Sequence, residues 1–83
     1  MITGAQIRAA RALLRWSAED LASKSKLGVA TVRRAEAADG QPSITEANGE
    51  TIRAALESSG VEFIAENGGG PGVRLRKDTR KSK

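Results

Sequence analysis

The chain contains no cysteine and no histidine. Without cysteine it has no disulfide framework and no thiolate-based metal site. Without histidine it lacks the usual general base, the usual pH switch and the commonest remaining metal ligand. No convergent catalytic set is left, so an enzyme is disfavoured, and neither a cofactor nor a metal is expected. Long apolar runs are missing as well. Nothing approaches the roughly 18 apolar residues that a membrane span needs. The N-terminal stretch MITGAQIRAARALLRW spaces arginines through its apolar residues and has no apolar core of signal-peptide length. These absences fit a cytoplasmic protein with no membrane association.

What is present bounds the rest. Eighty-three residues suffice for one small domain and are too few for two. Net charge is +4 and the pI about 10.1, which favours polyanionic partners, though weakly. The cations are unevenly placed. Residues 1–60 are nearly balanced, whereas Arg74, Arg76, Lys77, Arg80, Lys81 and Lys83 face only Asp78.

Apolar spacing and caps predict a mainly α chain. Thr3-Gly-Ala-Gln6 has the form of a capping box, followed by Ile7, Ala10 and Leu14 at helical spacing, so a first helix is expected over about residues 4–15. Trp16 then reads as a core-edge anchor, with base stacking as the alternative. Ser17-Ala-Glu-Asp20 opens a second helix over about 18–25, with Leu21 and Ala22 inward. Ser25-Lys26-Leu27-Gly28 is a turn. A third helix spans about 29–37 with Val32 and Ala35 inward, and Asp39-Gly40-Gln41-Pro42 ends it. A fourth runs over about 45–58 on Ile52, Ala55 and Leu56, with Gly49 suggesting an irregular start and Gly60 stopping it.

After residue 60 the period changes to two. Val61 to Glu66 and Val73 to Lys77 flank an Asn67-Gly-Gly-Gly-Pro-Gly72 loop, and predict a β-hairpin over 61–77 with Val61, Phe63, Val73 and Leu75 on one face. A two-stranded ribbon is marginal alone, so it must pack on the helices or pair with a second copy. Residues 78–83 read as a disordered basic tail. The glycine run has no following Lys-Ser/Thr and opens no helix, so it is a hairpin connection and not a phosphate cradle. Glu19/Asp20 and Glu62/Glu66 are cap and strand-surface charges rather than an acid–base pair.

Helix 2, turn and helix 3 at this spacing form a helix-turn-helix arrangement. Arg8, Arg11, Ser17, Asp20-Leu21-Ala22, Leu27, Ala30-Thr31-Val32, Arg34 and Glu36 resemble the XRE/Cro/CI-type helix-turn-helix regulators over about residues 3–58. The ending Gly60-Val-Glu-Phe-Ile to Lys77 resembles a group of very short bacterial regulators of that type. The resemblance implies residues 1–60 as a four-helix DNA-binding domain, followed by a C-terminal hairpin or dimerisation strand. It also implies a scaffold ion pair between Arg11 and Glu36, the alternative being that Arg11 faces phosphate. Two positions depart from the family: Lys26 stands where a turn glycine is usual, and Gly28 where a serine or threonine is. Either Lys26 adopts a left-handed conformation, or the turn shifts and Gly28 takes that role.

At about 100° per residue, Val29, Ala30, Arg33 and Ala37 share the face of helix 3 opposite Val32 and Ala35, with Arg34 at its edge. Arg33 and Arg34 can reach guanine edges or phosphate, and Val29 and Ala30 thymine methyls. Backbone N–H groups near Ser17 and Ala18 are candidate phosphate donors, with Lys26, Gly28 and Thr31 beside them and Arg8 and Lys24 as weaker candidates. The expectation is a sequence-specific double-stranded DNA-binding transcriptional regulator that binds a palindromic operator as a homodimer. Val61, Phe63, Val73 and Leu75 are the expected dimer residues, and a basic arm along DNA is the competing use of residues 73–83. The alternative from another class is a module of the same fold that binds and restrains another protein regulator.

Overall fold

The computed structural model describes residues 2–77. Its elements are α1 (Gly4–Leu14), α2 (Ala18–Ser25), α3 (Val29–Ala37), α4 (Glu46–Ser58), β1 (Val61–Ile64) and β2 (Gly72–Leu75). The chain is thus mainly α with a C-terminal antiparallel hairpin, as its periodicity predicts. The proposed basic tail, residues 78–83, lies outside the described residues.

Local chemistry sets the helix starts. The Thr3 hydroxyl accepts from Gln6 N–H while the Gln6 side chain accepts from Thr3 N–H, a closed capping box. Ser17 and Asp20 do the same for α2. Thr45 caps α4 by accepting from Asn48 N–H, so α4 begins at Glu46, one residue later than expected. Its first turn is regular: the backbone N–H of Gly49 donates to Thr45 O at 3.0 Å. Arg15 adopts φ 59° and closes α1 after Leu14, one residue early. Lys26 adopts φ 62° and closes α2, which answers the turn question: the lysine itself takes the left-handed conformation, and Gly28 is extended at φ −72° as the N-cap of α3. Gly60, at φ 111°, follows the end of α4, where a side chain would be strained.

The core is built from Ile7, Ala10, Leu21, Val32, Ala35, Ile52, Leu56 and Val61, all fully enclosed. These residues lie one helical turn apart on the inner stripe of each helix, with Val61 arriving from β1. Trp16 packs against the edge of this cluster, and Lys24 Nζ sits 5.8 Å from its ring centroid. Trp16 is therefore the core-edge anchor of the two readings.

Two joints fix how the elements sit together. At the first, Gly4 N–H donates to Gly40 O at 2.8 Å and Ala5 N–H to Asp39 O at 3.3 Å. The orphan donors at the start of α1 are thus satisfied by the loop that follows α3. The approach is so close that a Cβ on Gly4 would lie 1.9 Å from Ala38 O. At the second, the buried Gln6 amide donates to Gly72 O at 2.9 Å and Ile64 O at 3.4 Å, tying the hairpin to α1.

The hairpin pairs Val61 with Leu75, Glu62 with Arg74, Phe63 with Val73 and Ile64 with Gly72. Val61, Phe63, Val73 and Leu75 share one face, as expected, but that face is turned onto the helices. Val61 is completely enclosed, so it is unavailable as a dimer contact; only Leu75, at 50% exposure, is substantially uncovered. The basic residues of β2 and its continuation are also partly committed within the chain. Arg74 Nε donates to Glu62 at 3.0 Å. Arg76 donates from Nη2 to Glu57 O at 2.9 Å and from its backbone to Gly60 O at 2.7 Å, closing the C-terminus of α4.

Candidate nucleic-acid interface

The site is the outer side of the α2–turn–α3 unit. Val32 and Ala35 anchor α3 to the core, which leaves Ala30, Arg33, Arg34 and Ala37 exposed and Val29 half-buried against the core edge. Most of the expected reading face is therefore together and open. Val29 contributes less reach than the projection suggests, because part of its surface is spent on packing.

Behind that face, α1 grips the far end of α3 with two arginines. Arg11 holds Glu36 through a bidentate fork, Nε to Oε2 at 2.7 Å and Nη2 to Oε1 at 2.9 Å. Its third donor, Nη1, goes to Trp16 O at 2.8 Å. The Arg11 guanidinium pKa is raised by the Glu36 hydrogen bond, with the charges of Glu36 and Glu19 adding and burial opposing. The pair is thus a scaffold contact, and the phosphate reading of Arg11 falls away. Arg8 is the second clamp: it donates to the Glu36 carbonyl oxygen and to the Asp39 carboxylate. It is neither an idle surface charge nor a free phosphate ligand. Arg8, at the same helical face as Arg11 one turn earlier, was legible in position but not in partner.

The α2 N-terminus divides the expected phosphate donors. The Ser17 N–H is already taken by Asp20 Oδ2 at 2.8 Å, so it cannot also serve an anion. The N–H groups of Ala18 and Glu19 have no acceptor among the described residues. Lys26 and Gly28 are exposed in the turn, and Thr31 is half-buried on α3. Lys24, the weaker candidate, is engaged over Trp16.

A further concavity, of about 440 Å³, lies between the end of α3 and the start of α4, lined by Arg34, Ser43, Ile44, Thr45 and Asn48. Arg34 and the positive end of α4 converge on it. Ser43 and Asn48 are the residues that sequence reasoning missed here. The Ser43-Ile-Thr-Glu46 cap signature marked the helix start, but only the fold brings Arg34 to it. Arg33, in contrast, leans the other way, with Nη2 2.6 Å from Glu19 Oε2 of α2. The two neighbouring arginines thus diverge to opposite sides of α3.

No helix among the described residues is long and apolar enough to cross a membrane. No family model matches the chain, and a search of curated proteins returned no match.

Proposed function

We propose that the protein is a sequence-specific double-stranded DNA-binding transcriptional regulator of the XRE/Cro/CI type, with α3 entering the major groove. The observation that carries this reading is the exposed, small and basic outer face of α3, held rigidly from behind by Arg8 and Arg11. Ala30 and Ala37 permit close approach of the helix to the groove, and Arg33 has the reach and the donor fork for a guanine edge. The divergence of Arg34 towards Ser43, Thr45 and Asn48 supports a phosphate role for it. The N–H groups of Ala18 and Glu19, with Lys26, Gly28 and Thr31, form the matching phosphate contacts on the other side.

A single module makes few base contacts, and a homodimer on a palindrome multiplies them. The hairpin supports this assignment, because each of its strands has one unpaired edge and Leu75 is half uncovered. The basic-arm use of residues 73–77 is weakened by the internal partners of Arg74 and Arg76.

The test is selection of bound duplexes from a random pool, followed by affinity measurement across salt. An enriched motif and a steep salt slope are expected. No motif together with a flat slope would sink the reading and favour the protein-interaction alternative.

A further inference from the structure

The contact between Glu19 and Arg33 has no evident structural purpose. The two side chains link α2 to α3 at 2.6 Å, yet they are 65% and 59% exposed. Exposed pairs of this kind contribute little to stability. The core beneath them is already closed by Leu21, Val32 and Ala35. What the contact does change is the electrostatics of the face. Glu19 is the second residue of α2, and its carboxylate reaches across to α3. The same carboxylate cancels the nearest cation on α3. Arg34, one residue on, has no carboxylate partner among the described residues. Of two adjacent arginines, one is left open to polyanions and the other is shielded from them.

We propose that Glu19 is a specificity-determining residue of this interface: it withholds Arg33 from phosphate while holding its guanidinium oriented, so that the remaining donors answer to a base edge. The proposal rests on the reading of α3 as the groove-reading helix. Affinity for DNA of any sequence grows with the number of cations that displace counterions. A cation already neutralised by Glu19 adds little to it. A guanidinium carries five donors in a fixed fork, and Glu19 occupies one of its terminal nitrogens. The rest of the fork still fits guanine O6 and N7, and a partly immobilised fork loses less freedom on meeting them. Glu19 therefore lowers binding to random DNA more than binding to the operator.

The experiment compares the full chain with Glu19→Gln, Arg33→Ala, Arg33→Lys and the Glu19→Gln/Arg33→Ala double variant. Fluorescence anisotropy is read on the selected operator and on a scrambled duplex, from 50 to about 300 mM salt. Glu19→Gln frees one cation, so on the scrambled duplex its salt slope is expected to steepen by about 0.9 and its affinity at 0.1 M salt to rise about eightfold. Operator affinity is expected to move less than about twofold, so the ratio of the two falls several-fold. In the Arg33→Ala background the same substitution is expected to give a clearly smaller gain on the scrambled duplex. Arg33→Lys, which keeps the charge and loses the fork, is expected to keep scrambled binding and lose operator preference. An equal gain on both duplexes, no gain, or an undiminished gain without Arg33 would overturn the proposal. A parent chain that binds neither duplex would overturn the interface itself. Matching thermal melts establish that each variant is folded.

Discussion

Replacing Gly4 with Ala tests the joint on which the pose of α3 depends. Two effects pull in opposite directions. A Gly→Ala change in a helix gains up to about 1 kcal/mol, from backbone entropy and helix propensity. Against that, the new methyl would sit 1.9 Å from Ala38 O and 2.8 Å from Ala35 O. Both obstacles are backbone carbonyls at the end of α3, so no side chain can swing aside. The start of α1 must retreat, and the bonds from Gly4 and Ala5 to Gly40 and Asp39 open with it. Overpacking costs about 1–3 kcal/mol and each lost hydrogen bond about 0.5–1.5. The net destabilisation lies between about 1 and 6 kcal/mol, centred near 3, a large part of the roughly 4–12 kcal/mol available to a domain of this size. At about 4–8 °C per kcal/mol, the melting temperature measured by circular dichroism should fall by roughly 10–30 °C. Gly40→Ala is the control: nothing lies within 4 Å of its Cβ position, and its change should be neutral or slightly stabilising. A Gly4→Ala protein that melts at or above the parent temperature would refute the close-approach argument and leave only the entropic one.

Four more outcomes are expected. Lys26→Gly relieves a left-handed lysine and should raise stability by about 0.5–1 kcal/mol; if Lys26 touches phosphate, the salt slope for DNA should also fall by about 0.9. Glu36→Ala strands the partly buried Arg11, and chemical denaturation should show a loss of about 2 kcal/mol, discounted for the exposed part of the arginine. In the proposed homodimer, Leu75→Glu should lower the mass in solution from dimer to monomer and make the melting temperature independent of concentration; an unchanged mass removes Leu75 from the dimer surface. Glu62 is held below the ordinary carboxylate range, first by its hydrogen bond from Arg74 and then by that residue's charge. A depressed carboxylate contributes stability above its unfolded value and loses it as pH falls through the folded one. Its NMR titration midpoint should therefore lie below that of a free glutamate and return towards it in Arg74→Ala.

The elements were readable because their signals are local. Thr3 with Gln6 and Ser17 with Asp20 announce helix starts within four residues, and the shift to period two after Gly60 announces strands. The turn was readable only as a choice between Lys26 and Gly28, since both conformations satisfy the sequence and packing decides. Arg8, Arg76 and the amide nitrogen of Gln6 were not readable in role. Each donates to a carbonyl oxygen far along the chain, and a backbone carbonyl leaves no mark in a sequence. Val61 was placed on the right face of the hairpin, but whether that face meets helices or another copy is a matter of tertiary packing. The Glu19–Arg33 contact joins two ordinary surface charges fourteen residues apart, which only the angle between α2 and α3 brings together.

The bond from Gln6 to Gly72 has a consequence for when the fold can be completed. It joins residues 66 positions apart, in a chain whose other helical contacts are mostly short-range. Contacts between distant parts of a sequence slow folding, because loop closure must precede them. As the polypeptide emerges from the ribosome, α1 can form early with Gln6 Oε1 accepting from Thr3 N–H, but the Gln6 Nε2 donors have only water until the hairpin has been made. The last anchor of α1 therefore waits for the hairpin, after all four helices have been made.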